Sequence, residues 1–587
     1  MLRVNNPGLS VPPDWGSVGP AGAPVWHETG TSPPRFAPND KLRSLGTAQC
    51  HTFRNRLFQR HSDLAWALSR DYLRIAKERD YVAANRRLLD LDARLSVRDL
   101  KLTADHTDLK AFASHQSQRC YRYACKLPAE AAHQRAAKLA KSYRLEPPSI
   151  KQGIEPSLAR LCDQDWWLRQ VKRLQKCTVE GVRRDLGEVR QGRSCYASTE
   201  ADYQRQMQKA ATRDYLSKTT LRNGDGDELN LLEVYEHSIA NPAVRRAELM
   251  TRIKGFELLA EDLGDDAEFY TISAPGYMHA YRKSGQRNPN FQGHTPADIQ
   301  NYLNATWRLI RSALHRRGIQ PYGFRVVEPH HDGTPHWHLL LFMPPEHVTT
   351  CRKIMRHYAL LDKPEERGAR KHRFKAVPID RDKGSAAGYI AKYVAKNIDG
   401  AHLETDLYGS DAITAARKIE AWASNWGIRQ FQQIGGPSVT VWRELRRIDH
   451  CEDPEIESAR RHADAGDWAA FCLVMRGGEA GAAACRIRIA REPAKSEADR
   501  YGAPQKPKII GVRRGSVCLV TRLQRWVRVP TLSPTHVNTT QAGRVSWPQA
   551  NLPSRTCVNN CTGQSMEPGI TTEQGAHHGI TPNRAEG

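Results

Sequence analysis

The chain lacks the features that mark membrane, exported and motor proteins. It has no run of about 18 apolar residues, so no transmembrane helix and no membrane partner are predicted. Its N-terminus, Met1-Leu-Arg-Val-Asn-Asn-Pro7, has no apolar core of the kind found in signal peptides, so we expect no export. A Gly-x4-Gly-Lys-[Ser/Thr] loop is also missing, which argues against an ATP-driven motor in this chain.

The cysteines do not form a disulfide pattern. There are thirteen of them, an odd number at irregular spacing, and without an export signal they predict reduced thiols in a cytoplasm. Cys120-x4-Cys125 and Cys557-x3-Cys561 resemble zinc half-sites. Neither has a partner pair at finger spacing, which favours structural or incidental cysteines.

Positive charge is what the chain has in excess. The formal net charge is +24, which favours nucleic acid over an anionic membrane as the partner, with a generally solvated basic surface as the alternative. One segment, residues 367–375, is especially basic, and it could hold DNA through phosphates. Its candidate DNA contacts are Arg367, Arg370, Lys371, Arg373 and Lys375.

Composition and periodicity divide the chain into five regions. A Pro- and Gly-rich flexible arm at 1–45 precedes a mostly helical region at 46–260. Mixed strand and helix patterns at 261–450 predict an α+β domain with a mainly antiparallel central sheet flanked by helices. A small helical extension at 451–490 is followed by a tail at 491–587 that is predicted to be mostly disordered.

A candidate metal site occupies a predicted hairpin. His336 and His338 project to one face of a strand, because alternate strand residues share a face. Asp332-Gly333 predicts a turn, and a hairpin folded there would place Glu328 opposite His336. A His/His/carboxylate set suits Mg²⁺ or Mn²⁺ and admits other divalent ions.

Other interpretations of this hairpin remain open. A register slip of one residue would turn Glu328 to the opposite face. Two histidines on an ordinary strand would explain His-x-His equally well. His330 and His331 are rival ligands, although a turn position would leave them more exposed.

A second candidate element lies about fifty residues further on. At about 100° per residue, Tyr389, Lys392, Tyr393 and Lys396 share one face of a predicted helix, and an aliphatic face lies opposite. A cation near a phenol lowers its pKa, so a phenolate could attack a metal-activated phosphate and form a phosphotyrosine. An amphipathic helix whose tyrosines cap a core is the alternative.

These motifs together resemble a known family. Glu328, Pro335-His336-Trp337-His338 and the paired Tyr-x-x-Lys look like the HUH endonucleases, in the two-tyrosine form of rolling-circle replication initiators. The chain is most similar to the replication gene A proteins of tailed phages and prophages. Asn241–Met250, Phe269–Pro275 and Val441–Arg446 also resemble that family. The resemblance covers roughly 155–480 and implies an HUH-type nuclease domain.

The resemblance implies a role for each residue. His336, His338 and Glu328 would bind the metal. Tyr389 and Tyr393 would alternate as nucleophiles, with Lys392 and Lys396 assisting at the phosphate. The enzyme would nick single-stranded or locally melted origin DNA in a bacterial host cytoplasm. It would leave a 3′-OH for host DNA polymerase and rely on a host helicase.

Two rival functions use the same residues. A conjugative relaxase or a transposase would have the same chemistry, although tyrosines spaced by four favour a replication initiator over single-tyrosine transposases. A basic DNA-binding protein with a structural metal would have no catalysis. Substituting both Tyr389 and Tyr393 by phenylalanine separates the second rival from the nuclease, because only a nuclease would lose a covalent DNA adduct.

Overall fold

A computed structural model describes residues 39–382, 384–400, 405, 408–409, 411–476, 486–492 and 498–529. Most of the predicted arm, the last 58 residues of the predicted tail (530–587) and the Cys557–Cys561 pair lie outside the described residues. Within the described residues, no helix is both long enough and apolar enough to cross a membrane.

Helices dominate the described chain and strands cluster in a few places. The helices are α1 (Asn39–Arg43), α2 (Ala48–Arg60), α3 (Ala65–Glu78), α4 (Tyr81–Leu95), α5 (His106–Lys126), α6 (Ala129–Ser142), α7 (Ile154–Leu161), α8 (Gln164–Asp185), α9 (Thr199–Ser217), α10 (Leu231–Glu236), α11 (Pro242–Leu263), α12 (Pro296–His315), α13 (Pro345–Ala359), α14 (Ala369–His372), α15 (Ala386–Ile398), α16 (Ala412–Trp426), α17 (Val439–Leu445), α18 (Pro454–Ala465) and α19 (Trp468–Arg476). The strands are β1 (Ser96–Val97), β2 (Leu100–Lys101), β3 (Thr220–Arg222), β4 (Glu228–Asn230), β5 (Asp266–Ser273), β6 (Tyr322–Pro329), β7 (Pro335–Met343), β8 (Phe374–Pro378), β9 (Phe431–Ile434), β10 (Ile487–Arg491), β11 (Ile509–Arg514), β12 (Val517–Val520) and β13 (Val527–Val529).

The chain divides into two compact units, Met1–Arg94 and Leu95–Gly587. The described part of the first unit is helical, with Phe58, Leu68 and Tyr72 buried in its interior. The buried Arg54 guanidinium donates to the Leu45 carbonyl at 2.8 Å, which ties α2 to the segment before it. The predicted domain boundaries at 260 and 450 remain predictions.

The second unit begins with a helical layer. Helices α5 to α8 enclose a core that includes Leu109, Tyr143 and the fully buried Trp167. Helix α8 starts in this core and runs for 22 residues to Asp185. The mostly helical character predicted for this part of the chain is confirmed, and α8 links the helical layer to the sheet that follows.

A five-stranded antiparallel sheet forms the centre of the second unit, with strand order β8-β5-β7-β6-β9. Alternate residues of its strands enter two cores. Phe269, Phe324 and Leu340 pack under α11 and α15, whereas the opposite face packs under α12 and α13. Helices therefore cover both faces, and the predicted α+β class with a flanked antiparallel sheet is confirmed.

The predicted disordered tail is wrong for residues 498–529. Strands β10, β11 and β12 form a sheet whose Val512 is fully buried in the same core as α11 and α15. Arg514 Nη2 pairs with Asp453 Oδ2 at 2.6 Å, and β13 adds to the β3–β4 hairpin. Short apolar strands separated by polar residues leave little periodicity in the sequence, so only their tertiary partners identify them.

Candidate metal centre

The hairpin of the candidate metal site folds in the predicted register. Glu328 on β6 pairs with His336 on β7, and a tight turn closes through the Gly333 N–H, which donates to the His330 carbonyl at 2.9 Å. Because cross-strand partners project to one face, Glu328 and both strand histidines point to the same side. That side faces α15 and carries Phe269 and Leu340. The predicted pairing of 328 with 336 is confirmed.

Three side chains converge there, and we call them the triad: Glu328, His336 and His338. Their ligand atoms all lie within 4.8 Å of one another, the only such group among the described residues. His336 Nε2 and His338 Nε2 are 2.9 Å apart, and Glu328 Oε2 lies 3.6 Å from the latter. Donors that share one metal at about 2 Å have separations of this order, so the triad fits a divalent ion.

The protonation of the triad also suits a metal. Burial lowers the pKa of His336 well below its ordinary value, and the neighbouring His330 and His338 lower it further. A neutral imidazole offers a lone pair, which is the form that binds metals. His336 Nδ1 is buried and has no hydrogen-bond partner among the described residues.

Glu328 is held as a carboxylate. Burial works to raise its pKa, but the hydrogen bond with His338 and the Lys396 charge outweigh burial and keep the pKa below its ordinary value. Lys396 Nζ lies 3.4 Å from Glu328 Oε2, and Asn397 Nδ2 donates to Glu328 Oε1 at 2.5 Å. Both partners come from α15, so the tyrosine helix is fastened directly to the triad.

The outer nitrogen of His338 contacts β5. Thr271 Oγ1 lies 3.2 Å from His338 Nδ1, and the two residues are cross-strand partners. A hydrogen bond at the nitrogen that does not face the metal fixes the orientation of a ligand imidazole. Ser273, the next residue on that face of β5, is the cross-strand partner of His336.

Both tyrosine rings lie near Phe269, and the Tyr393 ring lies against the triad residue His338. The Tyr393 ring is half-buried, with its centroid 4.1 Å from that of His338 and 5.2 Å from that of Phe269. Tyr389 is 38% exposed, and its ring centroid lies 6.2 Å from that of Phe269. Both phenols therefore flank Phe269 on one side of the triad.

The two lysines differ in their position relative to the phenols. Lys396 is buried against Glu328, so the prediction that its ammonium is presented with the phenols is wrong. Lys392 is exposed, and its Nζ lies 5.2 Å from the centroid of the Tyr393 ring. Burial, Glu328 and Tyr389 together raise the pKa of Tyr393 to about 12, opposite to the predicted lowering.

The turn histidines are less exposed than predicted and lie outside the triad. His331 is only 5% exposed, because its carbonyl accepts from Tyr196 N at 3.2 Å and its Nδ1 from Gln191 N at 3.3 Å. The His330 ring stacks on His336 with centroids 4.0 Å apart, and burial lowers the pKa of His330 to about 3. The segment that covers them comes from another part of the chain.

The basic segment leads into β8, an edge strand of the sheet that carries the triad. Lys375 pairs with Thr271, which places it on the triad side, and Arg367, Arg370 and Lys371 are exposed. Arg373 is only 3% exposed and donates to the carbonyls of Asp362 and Lys363. This packing contradicts an exposed DNA contact at Arg373.

Sequence reasoning missed Arg184, and it used Asp332 only as a turn residue. The Arg184 Nε donates to the Asp332 carbonyl at 2.6 Å, and Nη2 donates to Thr334 Oγ1 at 2.8 Å. The Asp332 carboxylate accepts from Ala280 N at 2.9 Å, so it holds the chain after β5 onto the turn. Arg184 is about 150 residues from Asp332 and Thr334, and no local pattern links them. Asn397 was also missed, although its spacing of four from Tyr393 is a signal.

Comparison with known proteins decides the family. A family model described as bacteriophage replication gene A protein matches residues 93–401, just over half of the chain. The chain belongs to the bacteriophage replication gene A protein family. The match includes the hairpin, the triad and the whole of α15, and the family resemblance predicted from the motifs is confirmed.

Curated relatives of the gene A family differ in length from this chain. The replication gene A protein of Escherichia phage 186 is 41% identical over 435 residues, which is 71% of this chain and 61% of the relative. The replication protein of Haemophilus phage HP1 is 37% identical, covering 70% of this chain and 54% of the relative. A probable replication endonuclease from a prophage-like region of Salmonella typhimurium is 35% identical, covering 58% and 44%. The chain thus spans less than two thirds of the length of these relatives, and no solved structure matches it.

Proposed function

We propose that this gene A family member is an HUH-type endonuclease and strand transferase. It would nick a phage or prophage origin through a phosphotyrosine and initiate rolling-circle replication. The observation that carries the proposal is the Tyr393 ring, which lies 4.1 Å from that of the triad residue His338. The relatives named replication gene A protein and replication endonuclease support it.

The proposed reaction is a transesterification. The Tyr393 or Tyr389 phenolate oxygen attacks the scissile phosphorus, and the bond from phosphorus to the 3′ oxygen breaks. That oxygen takes up a proton to become a 3′-OH, while the 5′ phosphate stays esterified to the tyrosine. The other tyrosine repeats the attack after one round, and a free 3′-OH then displaces the first tyrosine. One phosphoester replaces another at each step, so no ATP is required.

The triad supplies the electrostatic part of this chemistry. Mg²⁺ or Mn²⁺ bound by Glu328, His336 and His338 would neutralise a phosphate oxygen and make the phosphorus more electrophilic. Without such charge, Tyr393 keeps its proton at neutral pH, because its pKa is raised to about 12. Phe269, stacked on Tyr393, limits the directions that this phenol can take.

The DNA strand would approach along the basic edge of the sheet at β8. Lys375 projects on the triad side, and exposed Arg367, Arg370 and Lys371 lie on the segment that leads into it. Phosphate contacts there would position single-stranded or locally melted origin DNA without reading its sequence. A host helicase and host DNA polymerase would complete replication in the host cytoplasm.

We place the endonuclease domain at 261–450, between the helical region 46–260 and the extension 451–490. This assignment groups the five strands of the central sheet with α12 to α17. The triad and both tyrosines lie within it, so the chemistry is proposed for one domain.

Covalent adduct formation tests the proposal. Single strands labelled at the 3′ end and tiled across the genome that encodes the chain are incubated with the full chain and Mn²⁺ or Mg²⁺, then separated on a denaturing gel. We expect one strand to be cut and a labelled protein adduct to form. Tyr389→Phe/Tyr393→Phe should abolish the adduct, whereas Tyr121→Phe, at an exposed tyrosine of α5, should keep it.

Two results would contradict the proposal. One is that no strand is cut with either metal. The other is that the double phenylalanine variant still forms the adduct. Strand binding that is unchanged in that variant, without any cleavage by the wild type, would instead favour a DNA-binding protein with a structural metal.

A further inference from the structure

A segment from outside the sheet covers the turn of the hairpin that carries the triad. We call residues 184–198 the strap, because they run from the end of α8 to the start of α9 and contact the 330–334 turn. At its start, the buried Arg184 donates to Asp332 and Thr334. Near its end, the Tyr196 N–H donates to the His331 carbonyl at 3.2 Å. Both ends of the strap are therefore anchored to the turn that leads into β7, the strand of the triad histidines.

Tyr196 has an unusual backbone conformation. Its φ is +75°, in the left-handed region that bulky residues avoid because of steric crowding. Its side chain is nevertheless only 1% exposed. Bulky residues hold such conformations only where surrounding contacts compensate, and such residues cluster at functional sites.

The Tyr196 ring contacts the charge that holds Glu328. Lys396 Nζ lies 5.3 Å from the centroid of the Tyr196 ring and 3.4 Å from Glu328 Oε2. Lys396 is only 8% exposed, so its ammonium has exchanged most of its water for these two partners. An aromatic face attracts a desolvated ammonium, which offsets part of the cost of burying it.

We propose that Tyr196 is a positioning residue for the metal centre. Its ring keeps the Lys396 ammonium on Glu328, and Lys396 in turn keeps the carboxylate aimed at the two histidines. The left-handed backbone brings a side chain from the strap to a lysine two hundred residues further along the chain. The inference rests on the proposed metal centre, but the link from Tyr196 to Lys396 is measurable without metal or DNA.

The direct test is the chemical accessibility of Lys396. The metal-free full chain is pulsed with an amine-acetylating reagent, and the modification of Lys396 is quantified by mass spectrometry relative to exposed Lys392. We expect Tyr196→Leu to raise Lys396 acetylation about thirtyfold, the factor for a lost desolvated cation–π contact. Tyr196→Phe keeps the ring and should match the wild type.

A matched control separates this effect from general loosening of the fold. Tyr143 is also buried, and the Arg98 guanidinium lies 5.5 Å from its ring centroid, but it belongs to the α5–α8 core. Tyr143→Leu should leave Lys396 acetylation unchanged. Equal acetylation in Tyr196→Leu and the wild type, or an equal rise in Tyr143→Leu, would overturn the proposal.

Kinetics test the same link from the side of the lysine. Lys396→Met leaves the Tyr196 backbone untouched and should slow single-turnover nicking about tenfold at saturating DNA. The Tyr196→Leu/Lys396→Met double variant should be no slower than Lys396→Met alone, because both changes remove one link. Additive losses would overturn the proposal, as would a Lys396→Met variant of wild-type rate. If the wild type itself does not nick DNA, the proposed function fails, whereas the acetylation result still decides the role of Tyr196.

Discussion

Replacing Asn397 with alanine tests whether the tyrosine helix is fastened to the triad. Asn397 is 1% exposed, and its Nδ2 donates to Glu328 Oε1 at 2.5 Å and to the Tyr393 carbonyl at 2.7 Å. A hydrogen bond to a charged group contributes about 1.5–3 kcal/mol to stability, and one to a neutral carbonyl about 1 kcal/mol. We therefore expect Asn397→Ala to lower the free energy of unfolding by about 2–4 kcal/mol.

The assay is urea denaturation of the metal-free chain, comparing the midpoint of the same transition in each variant. Asn425→Ala is the matched control, because Asn425 is also a buried helical asparagine and its Oδ1 has no partner within the described residues. Asn425→Ala should lower the free energy of unfolding clearly less than Asn397→Ala does. An Asn397→Ala midpoint equal to the wild-type midpoint would refute the view that this contact holds α15 against Glu328.

Asn397→Asp sharpens the same test through charge. It places a second carboxylate at the position that now donates to Glu328. Two carboxylates that share a site raise the pKa of one of them, so that one keeps a proton above its ordinary range. The destabilisation should be largest at high pH and should shrink as pH falls, measured as the melting-temperature difference from the wild type between pH 8 and pH 5. A difference that does not change with pH would contradict the shared site.

Three further predictions concern other parts of the fold. The triple variant Arg367→Ala/Arg370→Ala/Lys371→Ala neutralises the exposed part of the basic segment. It should make the slope of log K for single-strand binding against log salt concentration shallower by about 0.7 per lost phosphate contact. Changing Arg316 and Arg317, which lie at the opposite end of β6 from the triad residue Glu328, should not alter this slope. Gly323→Ala should prevent the sheet from folding, seen as the loss of its melting transition, because the added Cβ would overlap the Leu340 carbonyl. The Cβ of Gly318→Ala meets open space, so that variant should lose only about 1 kcal/mol of stability, owing to its left-handed φ. Hydrogen bonds from Arg460 and Arg461 lower the pKa of Glu457 to about 2, below an unfolded value of about 4.3. The stability from Glu457 is thus present above pH about 4.3 and lost toward pH about 2. Glu457→Gln should therefore have a lower melting temperature than the wild type at pH 7, and this difference in melting temperature should shrink below pH about 4.3.

Local sequence determined the parts of the site that follow from periodicity. The strand alternation that aligns His336 with His338 needs only neighbouring residues, and so does the turn that sets Glu328 opposite His336. The helical spacing that brings Tyr389 and Tyr393 to one side of α15 is equally local. The family resemblance rested on these motifs, and the family model that matches residues 93–401 confirmed it.

Tertiary packing decided the surroundings of each predicted residue. Lys396 shares the helical arc of the tyrosines, yet it is buried because β6 presents the Glu328 carboxylate to that end of α15. Arg373 belongs to a basic run, yet its guanidinium donates hydrogen bonds to the carbonyls of a neighbouring loop. Sequence alone shows that a residue is charged, but only its three-dimensional neighbours decide whether water or a buried partner solvates the charge.

The strap is the clearest case of information that no local pattern contains. Arg184 lies in the last turn of α8 and Tyr196 between α8 and α9, far along the chain from the hairpin that they contact. Their contacts depend on α8 reaching from the helical layer to the turn, and on the left-handed φ at Tyr196. Periodicity describes neighbours within a few residues. The sequence therefore determined which groups could perform the chemistry, and the fold decided which groups hold them in place.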